Sequence, residues 1–276
     1  FHPEGAHAAH NLAGERRAQA MAIYSVGGNL GYALGPGFAA ALIAAFGLRG
    51  TAFAALMPVL LAAVLIRLLP RWRAREQEAV ARKREHEEPG ATNWTGTVLI
   101  TLVVIVRSII HLGMTTYLPF FWIDVLGNDP ATAGLVQMTY LLAGVLGTLL
   151  GAPLADRFGT KPVLVASFAL LLPVQAVLST LEGWPLLACL FVAGFLVVST
   201  FTTTLVMTQE YMPRSLGLAS GLNLGLAFGM GGVGTSVLGV VADHFGVLVV
   251  MRCIASLVVP ALLLTLALPR VRAKRA

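Results

Sequence analysis

Gly27-Gly28-Asn29-Leu30-Gly31-Tyr32-Ala33-Leu34-Gly35-Pro36-Gly37 is the stretch that decides the fold. It lies inside an apolar run from Gln19 to Phe46 that holds no Asp, Glu, Lys or Arg. Gly27, Gly31 and Gly35 recur at every fourth position, so on a helix they form one smooth stripe. In water such a stripe would weaken the helix. In lipid the backbone must stay hydrogen-bonded regardless, and small residues let a second helix approach closely. Pro36 removes one bond of the ladder and predicts a kink. The stretch therefore predicts a membrane helix made for close packing and bending.

The rest of the chain follows the same pattern. Of its 276 residues 57% are hydrophobic and 12% charged, about half the charged fraction of a soluble domain. Apolar runs span roughly 19–46, 51–69, 96–123, 131–150, 162–181, 185–207, 216–241 and 247–268. Each approaches or exceeds the ~20 residues that cross a bilayer as a helix. The connections alternate in charge. One side carries Arg16, Arg17, the polar segment from Pro70 to Trp94, Asp156, Arg157, Lys161, Arg214 and the tail Arg270, Arg272, Lys274, Arg275. The other side has Arg49, Arg252 and the acidic Asp124, Asp129, Glu182 and Asp243. The excess of Lys and Arg puts the first side, and with it the C-terminus, in the cytoplasm. The net charge of +6 is thus a topology signal and does not point to nucleic acid. Cys189 and Cys253 each lie in an apolar run and read as small buried hydrophobes. No metal-ligand spacing, phosphate loop or nucleophile elbow is present in the sequence, so no enzyme activity, metal or cofactor is expected.

Two halves are expected. The 70–94 segment, rich in helix formers of both charges and ended by Pro89-Gly90, reads as a solvated linker. Gly221-Leu222-Asn223-Leu224-Gly225-Leu226-Ala227-Phe228-Gly229 repeats the first stretch at a constant offset of 194 residues, and Gly231 matches Gly37. Both copies follow a basic cytoplasmic loop, so they run in the same direction. The predicted division is 1–69 as the remainder of an N-terminal membrane half, 70–95 as the linker, and 96–276 as a six-helix C-terminal half.

Three motifs resemble the major facilitator family. Gly151-Ala152-Pro153-Leu154-Ala155-Asp156-Arg157-Phe158-Gly159-Thr160-Lys161 resembles its loop motif G-x-L-A-D-R-x-G-R-K, with Ala152 and Thr160 departing from it. Gly31, Gly35 and Pro36 resemble the core of its antiporter motif, G-x-x-x-G-P, although Ala39 and Ala40 replace later glycines. The parallel repeat is the kind that relates the two halves of these transporters. More narrowly, the chain resembles the fosmidomycin-resistance group of exporters. The residues that carry this are Phe1-His2-Pro3-Glu4, Val26-Gly27-Gly28-Asn29, Gln209-Glu210, Ala227 to Gly232 and Ala242-Asp243-His244. The resemblance implies an all-α integral membrane protein of the major facilitator fold. About eight complete transmembrane helices plus the end of one more, of an expected twelve, would be present, with the N-terminal portion truncated. It implies proton-coupled efflux of a small molecule such as fosmidomycin across a bacterial inner membrane. The partners expected are the bilayer, the substrate and protons, with no obligatory protein. A metabolite importer and a non-transporting fragment are the alternatives.

Several residues stand out as candidates. Arg107 lies about 16 Å into its span at ~1.5 Å per residue, too deep to reach the headgroups easily. An intramembrane charge usually faces a cavity, and the resemblance implies a phosphonate, which a guanidinium holds bidentately. A structural pair between helices is the competing role. His111 follows one turn later on the same face. Tyr117, with Thr115 and Thr116, and the repeated Asn29 and Asn223 are further polar residues that could line the path or bond between helices. Glu4 and Glu210 are the carboxylates at the edge of apolar runs on the cytoplasmic side, and so the candidates for proton exchange. Asp156 is expected to cap the helix starting near Lys161. Arg157, Gly159 and Lys161 complete the gating-loop motif, with the two cations expected to bind acidic groups or lipid phosphates. Gly27, Gly31, Gly35, Pro36, Gly221, Gly225 and Gly229 form the expected helix-packing motif.

Overall fold

Long apolar runs with few breakers give long helices, and the computed structural model contains eight that are long and apolar enough to cross a membrane. It describes residues 17–68 and 91–269, the side chains of 17–25, 29, 152 and 216 excepted. The chain divides into two compact units, Phe1–Pro89 and Gly90–Ala276.

In the first unit α1 runs from Arg17 to Phe46, unbroken through Pro36. Gly47, at φ 67°, turns the chain into α2, which spans Leu48–Leu68 and opens as a 3₁₀ helix over Leu48–Ala55. Nearly all of α2 is exposed, with Leu48, Met57, Leu60 and Ile66 open to the surroundings. Those side chains suit a lipid solvent.

The second unit holds six spans. Helix α3 covers Trp94–Phe120, begins at Asn93, whose side chain accepts from the Gly96 amide at 2.9 Å, and ends in a π turn over Phe121–Val125. Helix α4 covers Pro130–Phe158, α5 Thr160–Leu178, α6 Gly183–Tyr211 and α7 Leu216–Phe245. Helices α8 (Val247–Ser256) and α9 (Val258–Ala267) make one span that breaks at Leu257. Asp129 caps α4 by accepting from the Ala131 amide, with Pro130 at the first helical position where its missing N–H costs nothing.

The tightest packing is between α4 and α6. A Cβ added at Gly147 would sit 2.3 Å from the Phe195 carbonyl oxygen, and one at Gly151 2.8 Å from that of Ser199. From the other side, a Cβ at Gly194 would meet the Tyr140 carbonyl at 2.0 Å. Here backbones touch, which is the small-residue packing that replaces hydrophobic association in lipid. The expected packing motif lies elsewhere. Within its own unit each of Gly27, Gly31, Gly35, Gly221, Gly225 and Gly229 would accept a Cβ with nothing within 4 Å. Among the described residues of its own unit α1 packs only on α2, and α7 buries the side opposite its stripe against α3. On that buried side Gly231 and Gly234 meet Leu112 and Ile109.

The loop motif also differs from expectation. Residues 151–158 are the last turns of α4, and the connection to α5 is Gly159 alone, at φ 91°. Only glycine adopts that conformation without strain. Asp156 therefore does not cap α5. It is exposed in the final turn of α4, and the residue at the start of α5 is Gly159, which has no side chain to cap with. Lys161 does not reach out to an acidic group. Its Nζ donates to the Leu266 carbonyl at 2.8 Å and to that of Leu268, where α9 ends. A cation on the last carbonyls of a helix satisfies orphan acceptors and complements the dipole. Arg157 is exposed, with its guanidinium 5.3 Å from the Phe158 ring centre.

Candidate functional site

Four helices of the second unit meet around Arg107. The 3.6-residue period of α3 puts Arg107, Ile110, His111 and Met114 on the inner face, and all four are buried. Arg107 has no exposed surface at all. Its Nη2 donates to Ser108 Oγ at 3.1 Å, while Nε and Nη1 have no hydrogen-bond partner among the described residues. Its Cζ lies 3.4 Å from the ring centre of Phe201 on α6. So short a separation leaves no room for an N–H between them, and the guanidinium is stacked flat on the ring. The positive charge is thus met by the negative face of the aromatic quadrupole, worth about 2 kcal/mol when desolvated.

His111 completes the cluster. Its Nδ1 is 3.3 Å from the Tyr140 hydroxyl of α4, and the two rings stack at 5.8 Å. Its edge meets Phe201 at 5.3 Å and 77°. Ser108, His111, Leu112, Phe201, Ala227 and Phe228 line a small depression of about 10 Å³ between α3, α6 and α7.

This arrangement is unusual in its energy balance. Burying a cation without a hydrogen-bonded partner costs several kcal/mol, and one neutral hydrogen bond and one ring stack return only part of that. A guanidinium held this way keeps in-plane donors without a partner among the described residues.

The other candidates are placed differently. Tyr117 donates to the Thr235 carbonyl at 2.8 Å and so ties α3 to α7. Thr115 bonds back to its own helix at Leu112, and its carbonyl accepts from Gln137 of α4. Asn223 is buried and donates to Thr208 Oγ1 on α6 at 3.1 Å. Its neighbours Gln209 and Ser220 repeat that tie between the same helices. Glu210 is exposed near the end of α6 and accepts from the side chain of Thr160 at the start of α5. Glu4 lies outside the described residues, as does the Asn29 side chain. Cys189 and Cys253 are free and half-buried, not fully enclosed, and the Cys189 thiol donates to the Val174 carbonyl. Among the described residues no group of three His, Cys, Asp or Glu could hold a metal.

Ser108, Tyr140 and Phe201 were not legible as members of the cluster. Phe201 is one of 13 phenylalanines, and nothing in its local sequence sets it apart. The one available hint was the hydroxyl-rich segment Ser199-Thr200-Phe201-Thr202-Thr203-Thr204, in which an aromatic interrupts polar residues inside an apolar run.

Comparison with known proteins places this geometry in context. Residues 3–129 and 103–276 match the model of the Major Facilitator Superfamily. Over 290 aligned residues the chain is 33% identical to the fosmidomycin resistance protein of Escherichia coli (strain K12), covering 99% of this chain and 68% of that protein. It is 34% identical to the uncharacterized MFS-type transporter YfnC of Bacillus subtilis (strain 168), covering 95% of this chain and 66% of the relative. A shorter alignment, 32% identical over 145 residues and 49% of this chain, joins it to the 4-hydroxybenzoate transporter PcaK of Pseudomonas aeruginosa. The chain thus spans about two thirds of the length of the first two.

Proposed function

We infer that this chain, which belongs to the major facilitator superfamily of membrane transporters, is the greater part of a carrier that moves a small organic anion out of a bacterial cell in exchange for protons. The observation that carries the anion is Arg107: fully buried, stacked on Phe201, with two of its three nitrogens unbonded. Anionic oxygens in the plane of the guanidinium would satisfy those donors and neutralise the charge, so substrate binding recovers a desolvation cost that the empty site carries. The names of two relatives fit this chemistry, since fosmidomycin is a phosphonate and 4-hydroxybenzoate a carboxylate. Outward direction rests on the kinship with the fosmidomycin resistance protein.

His111, next to Arg107, belongs to the same substrate site. Asn223 and Tyr117 hold α7 against α6 and α3, and so position the wall of the depression. Glu210, at the cytoplasmic end, is the described carboxylate best placed to exchange a proton, and Glu4 is its counterpart by sequence. The division into 1–69, the cytoplasmic linker 70–95 and 96–276, the gating role of Asp156 to Lys161, and the cytoplasmic C-terminus belong to the same proposal. So do the two open glycine stripes as packing faces.

The test is accumulation of radiolabelled fosmidomycin in cells expressing the protein from its complete gene, with and without a protonophore. Efflux that collapses when the proton gradient is removed supports antiport. Efflux that persists unchanged refutes proton coupling, and uptake in place of efflux favours the importing facilitator.

A further inference from the structure

Arg107 has no exposed surface, and Phe201 covers one face of its guanidinium. We propose that Phe201 determines what the Arg107 site accepts: its ring holds one face of the guanidinium and confines the ligand to the in-plane edges, where an oxyanion head, carboxylate or phosphonate, fits. The inference rests on the reading of Arg107 as the substrate anchor.

Three observations carry it. First, the 3.4 Å stack occupies a face of the guanidinium, while the unbonded Nε and Nη1 direct their N–H groups into its plane. Each of the two unbonded donors shares an edge with the second hydrogen of Nη2, and a carboxylate or phosphonate fills such an edge with two oxygens where a spherical halide cannot. Second, Ser108 binds Nη2 from the α3 side and so fixes the orientation of the plane. Third, the Phe201 ring is itself only half-buried and forms part of the wall of the small depression between α3, α6 and α7. His111 meets the same ring edge-on at 5.3 Å and supplies a polar rim to the opening. The ring also keeps water from the face of the cation, and donors in such a dry setting bind an anion more strongly than donors in water.

The experiment uses inverted membrane vesicles from cells expressing the complete gene, with proton-driven uptake of radiolabelled fosmidomycin. Methylphosphonate, benzoate and chloride serve as competitors. In the wild type the two oxyanions compete and chloride does not. Phe201→Leu keeps most of the bulk but loses the stack, and should weaken oxyanion competition roughly tenfold. Phe201→Ala opens the face and should let chloride compete. If both variants keep the wild-type competition pattern while Arg107→Gln is inactive, the Phe201 inference fails and the anchor stands. If Arg107→Gln transports like the wild type, the anchor itself fails. A Phe201→Leu protein that does not reach the membrane also overturns the inference, because a half-buried ring should tolerate leucine, and loss of folding would make Phe201 a structural residue.

Discussion

Replacing Arg107 by methionine should make the protein more stable and less active at once. Methionine approximates the length of the arginine stem without its charge. The structure shows what the substitution removes. The guanidinium has one hydrogen bond, to Ser108, and one aromatic stack, while Nε and Nη1 have no partner. The two contacts together contribute about 2–5 kcal/mol, roughly 1.5–3 from the hydrogen bond of a charged donor and about 0.5–2 from the ring. Against them stands the cost of dehydrating the cation, several kcal/mol even after relaxation. Exchanging buried ionic groups for apolar ones of similar size is often stabilising by about 1–4 kcal/mol. We expect the midpoint of thermal unfolding in detergent to rise by several degrees, at roughly 2–4 °C per kcal/mol for a unit of this size. Fosmidomycin resistance and vesicle uptake should fall to the level of cells without the gene. The reasoning is refuted if Arg107→Met lowers the unfolding midpoint. A loss of stability would show that Arg107 holds the helices together, and a loss of transport would then be secondary.

Two further outcomes follow from the packing. Gly147→Leu should abolish membrane accumulation, because its Cβ alone would come within 2.3 Å of the Phe195 carbonyl oxygen and force α4 off α6. The measurement is the folded yield on gel filtration in detergent, and a normal yield would overturn the backbone contact between these helices. Lys161→Gln should free the end of α9, since the Leu266 and Leu268 carbonyls lose a charged donor worth roughly 1.5–3 kcal/mol when shielded, less where water reaches it. Hydrogen exchange over 262–268 should then speed up while the centre of α6 keeps its protection. Unchanged exchange would remove Lys161 as the clasp.

Membrane insertion was legible from composition because the bilayer imposes one rule on every span: about 20 apolar residues with an internally bonded backbone. Arg107 was legible for the same reason, as the one charge deep in the span of 96–123. What could not be read was which glycines pack. Gly31 and Gly147 sit in equally apolar runs, yet one has open space around it and the other touches a carbonyl. Spacing shows that a stripe exists but not which helix lies against it. The end of α4 was misread because Asp156 and Arg157 look like the polar residues of a loop. At the membrane surface charged residues are cheap, so a helix can run through them until a backbone signal stops it, and here that signal is Gly159.

The unpartnered cation and the backbone-to-backbone packing belong to one physical argument. Helices α4 and α6 are held by contacts too close to slip, with Gly147, Gly151 and Gly194 leaving no slack. That rigidity keeps Phe201 of α6 and Tyr140 of α4 at fixed positions against α3. Arg107 could otherwise lower its energy by shifting toward any nearby carbonyl, as buried cations generally do. In a loosely packed bundle the idle donors would be quenched by rearrangement, and the site would be silent. Here the frame prevents the rearrangement, and on the proposed reading the donors are kept for an anion. A variant that loosens the frame without touching the cluster, such as Gly151→Ala, should therefore weaken uptake even if it still folds. Its Cβ would stand 2.8 Å from the Ser199 carbonyl oxygen, two residues from Phe201. Wild-type uptake by a folded Gly151→Ala protein would separate the frame from the site and end this account of why Arg107 remains unpaired.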